Sequence, residues 1–330
     1  MGRMNVDQTR QPASPQPAPR ELVNGLFDDA SLFPPGNLPM RSAVTAHGQH
    51  IGAWYHDLTG PFVCPETRID ELRAVLTAAN VPEIDLALVV TGGAVAVGAA
   101  TDAVAADPRL RLRAIEVSAR RIQGSEPTTD SQADHEHTGH GQTDHGHDGY
   151  GHNVAEVAAA LDAALLGGAA GYIEIPLGLL ADPATADEVL SIVAGRGYRP
   201  KLRTGGMTAA AFPDEPTLAG ALAAVERWNV PFKCTAGLHH AIRHTAADTG
   251  FEHHGFLNVL LAVGAAAADA SQDQIAGLLA QRDPAQVAGQ IRDLDPESAA
   301  EIRALFTSFG TCSTEEPIAD LVGLGLINQP

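Results

Sequence analysis

The sequence of 330 residues predicts an α/β fold, a (β/α)8 barrel of the TIM type in a single domain. Short apolar runs alternate with helical patterns at a spacing of roughly thirty residues, which is typical of βαβ units with parallel strands. About seven such units in one chain favour a closed barrel, with a doubly wound open sheet as the alternative. No Gly-x-Gly-x-x-Gly motif follows a predicted strand, so the sequence provides little support for a dinucleotide site.

The predicted strands are short apolar runs bounded by turn residues. Two further runs, at 62–64 and 305–312, are less regular, and the mostly helical stretch 255–291 leaves the seventh barrel strand unidentified. The apolar run 256–268 is too short for a membrane span and predicts a buried helix. The clear strands lie at 85–91, 112–118, 171–176, 200–204 and 231–236, and the helical patterns at 69–79, 96–106, 154–166, 185–194, 216–228 and 297–305.

Two segments interrupt this alternation. Residues 1–20 are rich in Gln, Pro, Ser and Arg, which predicts a disordered N-terminal tail. Residues 124–152 include a hydrophilic tract rich in Gly and His, which predicts a mobile loop inserted between two barrel units. We therefore expect residues 21–330 to form the barrel with this inserted His-rich loop.

Composition limits the partners that the chain can have. Its 40 acidic and 21 basic residues give a formal net charge of −19, which argues against nucleic acid and anionic membranes. Three scattered cysteines are too few for a disulfide framework or a cysteine-based zinc module, and they suit a reducing cytoplasm. The sequence shows neither an apolar secretory leader nor an apolar run of about twenty residues. We expect an acidic cytoplasmic protein, and homo-oligomerisation is left open.

Charged residues in the predicted strands indicate where chemistry takes place. Lys201 and Arg203 share one face of their strand, and Lys233 lies in the next strand. Glu116 and Glu174 each lie between two apolar residues, so strand alternation turns them towards the barrel interior with the three cations. Buried charges are costly unless they are paired or used. Because catalytic groups of TIM barrels lie at the carboxyl ends of the strands, we expect an active site here, with a structural ion-pair network as the alternative.

Two of these strands resemble a known family. The segment Phe-Lys-Cys-Thr-Ala-Gly at 232–237 resembles the Lys-Thr-Ser-Thr-Gly strand of the deoxyribose-phosphate aldolases, whose lysine forms a Schiff base with the substrate carbonyl. Lys201, followed by Gly205 and Gly206, is similar to that family's second lysine strand with its Gly-Gly phosphate loop, although the two strands follow in the opposite order. The resemblance implies that Lys233 forms the imine and that Lys201 is the neighbouring cation that lowers the pKa of that lysine.

Residues just after the strands complete the predicted site. The Gly205-Gly206 turn beside Arg203 could hold a phosphate or carboxylate through backbone N–H groups and the guanidinium. Histidines after the Lys233 strand should line the barrel mouth, where an imidazole can act as a general acid or base. The predicted catalytic residues are Lys233, Lys201, Glu174, Glu116 and His239, and the predicted substrate-binding residues are Arg203, Thr204, Gly205, Gly206, Thr235 and His240.

A metal is the basis of two alternative interpretations. Glu116, Glu174 and a mouth histidine could bind a divalent ion with a lysine as base. Imidazoles of the His-rich segment could bind zinc, nickel or copper loosely. The histidines predicted to do so are His135, His137, His145 and His147.

Three functions follow from these observations. We expect a lyase or aldolase-type enzyme that acts on a small anionic carbonyl compound, either phosphorylated or carboxylated, and the sequence assigns it no definite cofactor beyond a possible divalent metal. The second is a lyase, isomerase or hydrolase that depends on a divalent metal. The third is a non-enzymatic protein that binds metal through its His-rich loop.

Overall fold

The computed structural model describes residues 17–119, 147–165 and 167–330. Its strands are β1 (Phe27–Asp29), β2 (Thr59–Pro65), β3 (Ile84–Val90), β4 (Leu110–Ser118), β5 (Ala170–Ile175), β6 (Arg199–Arg203), β7 (Phe232–Thr235), β8 (His244–Thr245), β9 (Glu252–His253) and β10 (Phe306–Thr311). Its α-helices are α1 (Arg20–Val23), α2 (Met40–Gly52), α3 (Ile69–Ala79), α4 (Val97–Ala105), α5 (His147–Ala164), α6 (Leu177–Ala181), α7 (Pro183–Gly195), α8 (Glu215–Arg227), α9 (Phe256–Ala267), α10 (Gln272–Leu279), α11 (Pro284–Arg292), α12 (Pro296–Leu305) and α13 (Glu315–Gly323).

Eight parallel strands close into a barrel in the order β1, β10, β7, β6, β5, β4, β3, β2, and β2 pairs again with β1. The remaining strands, β8 and β9, form a small antiparallel pair between β7 and α9. Helices alternate with the barrel strands along the chain, which is the (β/α)8 architecture. The predicted TIM-type barrel is therefore confirmed.

All seven predicted strands are present, and the one barrel strand that the sequence did not predict is the first, β1. With only three residues, β1 is too short for a recognisable alternation of apolar and polar side chains. The seventh barrel strand in chain order is β7, and the eighth is β10, because the stretch before α12 forms the three helices α9, α10 and α11.

The predicted helix at 69–79 coincides with α3, and the buried helix predicted at 256–268 corresponds to α9. Helix α5 begins at His147, inside the segment predicted as an inserted loop, whereas residues 120–146 of that segment lie outside the described residues. Residues 1–16 of the predicted N-terminal tail lie outside the described residues. Its last residues are described, and the backbone N–H of Ala18 donates a hydrogen bond to the carbonyl of Leu326 at 2.9 Å.

Apolar side chains separate into two layers because a barrel strand has an outer and an inner face. The outer faces pack against the helices, as where the ring of Phe27 meets that of Phe256 on α9 edge-on at 5.7 Å. The ring of Phe309, on the neighbouring strand β10, meets Phe27 edge-on at 5.3 Å. A second apolar cluster lies inside the barrel and consists of buried residues from four consecutive strands. These are Val63, Ala87, Ala114 and Tyr172.

A buried hydrogen bond between His47 and Asp29 fixes α2 against β1 at the carboxyl end of the barrel. The Nδ1 atom of His47 lies 3.0 Å from Oδ2 of Asp29, whose Oδ1 accepts a hydrogen bond from the Ser31 amide. Burial alone would raise the pKa of Asp29, but His47 and the Ser31 amide together lower it. The pair lies between strand and helix, so it orients α2 and does not face the barrel interior.

In the part of the chain that the structure describes, no helix is both long enough and apolar enough to cross a membrane.

Candidate functional site

Six charged side chains form a continuous chain inside the barrel. The ammonium of Lys233 contacts Oδ2 of Asp28 and lies 2.6 Å from Oε1 of Glu116. The other oxygen of Glu116, Oε2, lies 2.7 Å from the ammonium of Lys201, which is 3.4 Å from Oε2 of Glu174. The chain is completed by the Arg203 guanidinium, whose Nε donates to Oε1 of Glu174 at 2.8 Å. Three carboxylates therefore alternate with three cations.

The register of the strands explains this convergence. Glu174 on β5 pairs with Lys201 on β6, and Lys201 pairs with Lys233 on β7, so the three side chains stand side by side on the inner face. Glu116 comes from β4 and reaches between the two lysines. Every charged residue that strand alternation assigned to the interior is thus one of the six charged side chains in contact there, as predicted.

The chain runs from a buried end to an exposed end. The side chain of Lys233 is 2% exposed, that of Lys201 6%, that of Glu174 16% and that of Arg203 45%. Arg203 and Glu174 are therefore the members that a small molecule entering from solvent would meet first. Lys201 is the first amine along that path, and Lys233 lies behind it.

Mutual contacts decide the ionisation of the buried members. Burial would raise the pKa of Glu116, but the ammonium groups of Lys201 and Lys233 outweigh it and lower that pKa to about 2. Burial would lower the pKa of Lys233, yet the carboxylates of Asp28 and Glu116 raise it above its ordinary value. In Asp28 burial prevails and raises the pKa, although Lys233 acts against it. The protein thus holds Lys233 as an ammonium beside a carboxylate of increased basicity.

Three residues that the sequence analysis missed support the buried end. Asp28 lies on the short strand β1, and Oδ2 of its carboxylate also accepts a hydrogen bond from the Ser308 hydroxyl at 2.8 Å. The ammonium of Lys233 lies 5.4 Å from the ring centre of Tyr172, within the range of a cation–π contact. Two adjacent aspartates in an apolar context, Asp28-Asp29, were the only sequence signal for this end of the chain.

Close packing explains the glycine of the turn after β6. A Cβ atom on Gly205 would lie 2.7 Å from the Cα atom of Gly237 and 2.8 Å from the ring of Phe212. Thr204 is fully buried, and its hydroxyl donates to the carbonyl of Ala236 at 2.5 Å. These contacts join the loops after β6 and β7. We therefore assign Thr204 and Gly205 a positioning role, next to the exposed Arg203.

The other predicted binding residues lie at the same end of the barrel. Gly206 completes the β6 turn, and a Cβ atom there would lie 2.8 Å from the Ala211 methyl group. Thr235 ends β7 in register with Arg203, and its Oγ1 lies 4.0 Å from the position of a Cβ atom on Gly310. Thr235 therefore faces the interior above Lys233.

The two predicted mouth histidines contact α13. His239 Nδ1 lies 3.2 Å from Oε2 of Glu316, and His240 Nδ1 lies 3.1 Å from Oδ2 of Asp320. Within the described ranges, no hydrogen bond or ion pair joins either imidazole to the six charged side chains of the interior. The lysines and the histidines thus form two separate clusters at the carboxyl end.

The described residues contain no group of three or more His, Cys, Asp or Glu side chains placed to hold a metal ion. Glu116 and Glu174, the carboxylates of the metal interpretation, are both engaged by cations. His135, His137 and His145 lie outside the described residues. His147 is the first residue of α5.

Comparison with known proteins adds no assignment. No protein-family model matches the chain, and no curated protein is similar to it.

Proposed function

We propose that the protein is a barrel enzyme of the lyase or aldolase type that acts on a small carbonyl compound carrying a carboxylate or phosphate. The observation that carries this proposal is the pair of interior lysines bridged by one glutamate, with a half-exposed arginine at the open end of the same chain.

The energetics of the charged interior favour a functional role over a structural one. Removing charged groups from water costs several kcal/mol per ion, and pairing them often does no more than offset that cost. Four buried side chains, all without a formal charge, pack elsewhere in the same barrel interior, so the fold has a less costly way of filling it. A chain of six charges is therefore better explained by chemistry than by stability.

Arg203 supports the anionic character of the substrate. Its Nε is bonded to Glu174, while a guanidinium has five N–H donors in all, so a forked pair remains for a carboxylate or phosphate. At 45% exposure the side chain is open to solvent. An anion bound there would place the rest of a small molecule towards Lys201 and the interior.

At the buried end of the six charged side chains, Lys233 is the group that would react with a carbonyl. An amine attacks a carbonyl only when neutral, and the raised pKa of Lys233 opposes this. Asp28 has a raised pKa and contacts the same ammonium, so it is the nearest group able to accept the proton. The Nζ–carbon bond then forms, and the carbonyl oxygen takes one proton from Nζ and the proton held by Asp28 and leaves as water. The resulting iminium ion withdraws electrons from the adjacent carbon–carbon bond. Lys201 and Glu174 lie where they can transfer protons to and from the substrate.

Borohydride reduction tests this proposal, because it converts an imine into a stable secondary amine. The purified protein is incubated with pyruvate, glyoxylate, glycolaldehyde phosphate or uncharged glycolaldehyde, reduced, and mapped by peptide mass spectrometry. We expect an adduct on Lys233 that is absent from Lys233→Met. An adduct on Lys201 would transfer the role of nucleophile to that residue.

Arg203→Met provides the matched control for the anion site. It should weaken trapping of the three anionic compounds at least tenfold and leave trapping of uncharged glycolaldehyde unchanged. If neither lysine forms an adduct with any of the four compounds, the imine mechanism is wrong.

A further inference from the structure

A thiol, an imidazole and a carboxylate meet at the carboxyl end of the barrel, apart from the lysines. Cys312 directly follows β10, and its Sγ lies 3.7 Å from Nδ1 and 4.0 Å from Nε2 of His239. Oε2 of Glu316, at the start of α13, lies 3.2 Å from Nδ1 of the same ring. The site lies between the loops after β1 and β7, since Gly36 packs against Cys312 from the β1 side.

The carboxylate sets the roles of the two imidazole nitrogens. Glu316 accepts a hydrogen bond from Nδ1–H of His239, which leaves the lone pair of Nε2 free to take a proton. A nucleophile beside a base that a third group orients is the general arrangement of activated nucleophiles in enzymes. Here the thiol of Cys312 is the nucleophile beside that base, with its Sγ 4.0 Å from Nε2.

Both reacting groups are neutral in the resting protein. Burial lowers the pKa of His239, with Glu316 acting against it and the nearby rings of His240 and His244 adding to it. Burial also raises the pKa of the Cys312 thiol, and the Glu316 carboxylate adds to this effect. The thiol therefore loses its proton to the imidazole only as it reacts.

Two buried hydroxyls, on a residue that packs beside Gly36 and on one that follows Cys312, lack hydrogen-bond partners in the part of the chain that the structure describes. Ser31 Oγ and Thr314 Oγ1 belong to residues that are 5% and 3% exposed, and neither has a hydrogen-bond partner among the described residues. A Cβ atom on Gly36 would lie 3.1 Å from Cβ of Cys312 and 3.2 Å from the carbonyl oxygen of Ser31, so Ser31 and Cys312 both pack against Gly36. Thr314 lies two residues after Cys312. Buried hydroxyls are normally bonded, so these two are available to the polar atoms of a ligand.

We propose that Cys312 is a covalent modification site that takes small uncharged electrophiles, with His239 as its base. In the alkylation step the Sγ–carbon bond forms, the leaving group departs with its electron pair, and the thiol proton passes to Nε2 of His239. The half-exposed Glu316 carboxylate disfavours anionic reagents. This ligand class differs from that of the lysine site and does not depend on the function proposed for it.

The test uses iodoacetamide on the folded full-length protein at pH 7, with labelling rates measured by peptide mass spectrometry. Cys64 and Cys234 serve as internal controls, because both are fully buried thiols whose pKa burial raises. We expect Cys312 to be alkylated at least tenfold faster than either. His239→Gln should reduce the rate at Cys312 at least tenfold, whereas His56→Gln, at an exposed histidine whose Nδ1 lies 3.0 Å from the Ala53 carbonyl, should leave it within twofold.

The charge of the reagent gives a second readout. Relative to a free thiol in solution, Cys312 should discriminate against iodoacetate, and Glu316→Gln should remove that discrimination. Circular dichroism and equal labelling of all three cysteines in urea establish that each variant folds and that its thiols are intact. Alkylation of Cys312 no faster than that of Cys64 and Cys234, or equal rates in the two histidine variants, would overturn the proposal.

Discussion

Replacing Lys233 by methionine removes one charge from the most buried part of the interior chain and keeps an unbranched side chain of similar length. Glu116 retains its contact with Lys201 at 2.7 Å. Among the described residues, Asp28 keeps the hydrogen bond from the Ser308 hydroxyl and the more distant charge of Arg303, but no ion pair. Removing one partner of a buried ion pair typically costs about 3–5 kcal/mol, because the other charge stays buried without compensation. We expect the free energy of unfolding to fall by that amount.

A surface ion pair provides the control. The guanidinium of Arg227 lies 2.8 Å from Asp187, and both side chains are about half exposed. Arg227→Met should therefore cost about 0–1 kcal/mol. Urea unfolding followed by circular dichroism measures both variants, with equal dependence on urea concentration as the check that the transitions are comparable.

The stability loss in Lys233→Met should depend on pH. Without Lys233, Asp28 loses the cation that now opposes the burial-driven rise in its pKa, so that pKa rises further. A carboxyl group whose pKa is higher in the folded state stabilises the fold when protonated and loses that contribution as pH rises. The loss of unfolding free energy in Lys233→Met should thus shrink as the pH falls below 7. Adding Asp28→Asn to Lys233→Met should recover part of that loss. A loss no larger than that of Arg227→Met would refute the reasoning.

Two further predictions concern acid stability and the packing of glycines. The neighbouring lysines lower the pKa of Glu116 to about 2 in the folded protein, against an ordinary 4.5. Its carboxylate therefore contributes about 3 kcal/mol to the free energy of unfolding above pH 4.5, and this contribution is lost as the pH falls from 4.5 towards 2. In Glu116→Gln the difference in unfolding free energy between pH 7 and pH 3 should be smaller than in the parent, and an unchanged difference would contradict this. Gly205→Ala should lower the free energy of unfolding by about 1–3 kcal/mol, because the added Cβ atom meets backbone and a ring. Gly277→Ala, inside α10 with open space around it, should raise it by about 0.5–1 kcal/mol. Urea unfolding measures both variants. A gain in stability in both variants would show that backbone propensity and not steric contact decides the outcome.

Strand alternation predicts five of the six charged side chains of the interior, all except Asp28. Glu116 and Glu174 lie between apolar neighbours, and a charge between two core-facing residues must point to the opposite face of the strand. In a barrel that face is the interior, so the direction of the side chains follows from local sequence. What local sequence cannot supply is which charge contacts which, because this depends on the shear of the barrel and the register between strands.

Asp28 shows where sequence reasoning ends. Its strand has three residues, and its partners, Lys233 and Ser308, lie more than 200 positions later in the chain. The Cys312–His239 contact is of the same kind, since it joins loops that follow two neighbouring strands. Such contacts exist only once the barrel has closed.

The sequence by itself determined the βαβ alternation, the barrel and the inward direction of the charged residues, because apolar periodicity and strand alternation are local properties of the chain. Only the tertiary structure decided that Glu116 bridges the two lysines, that Asp28 holds Lys233 as an ammonium, and that the histidines form a separate cluster. The physical reason is that ionisation and contact depend on burial and on distances between strands remote in sequence, which closure of the barrel alone establishes.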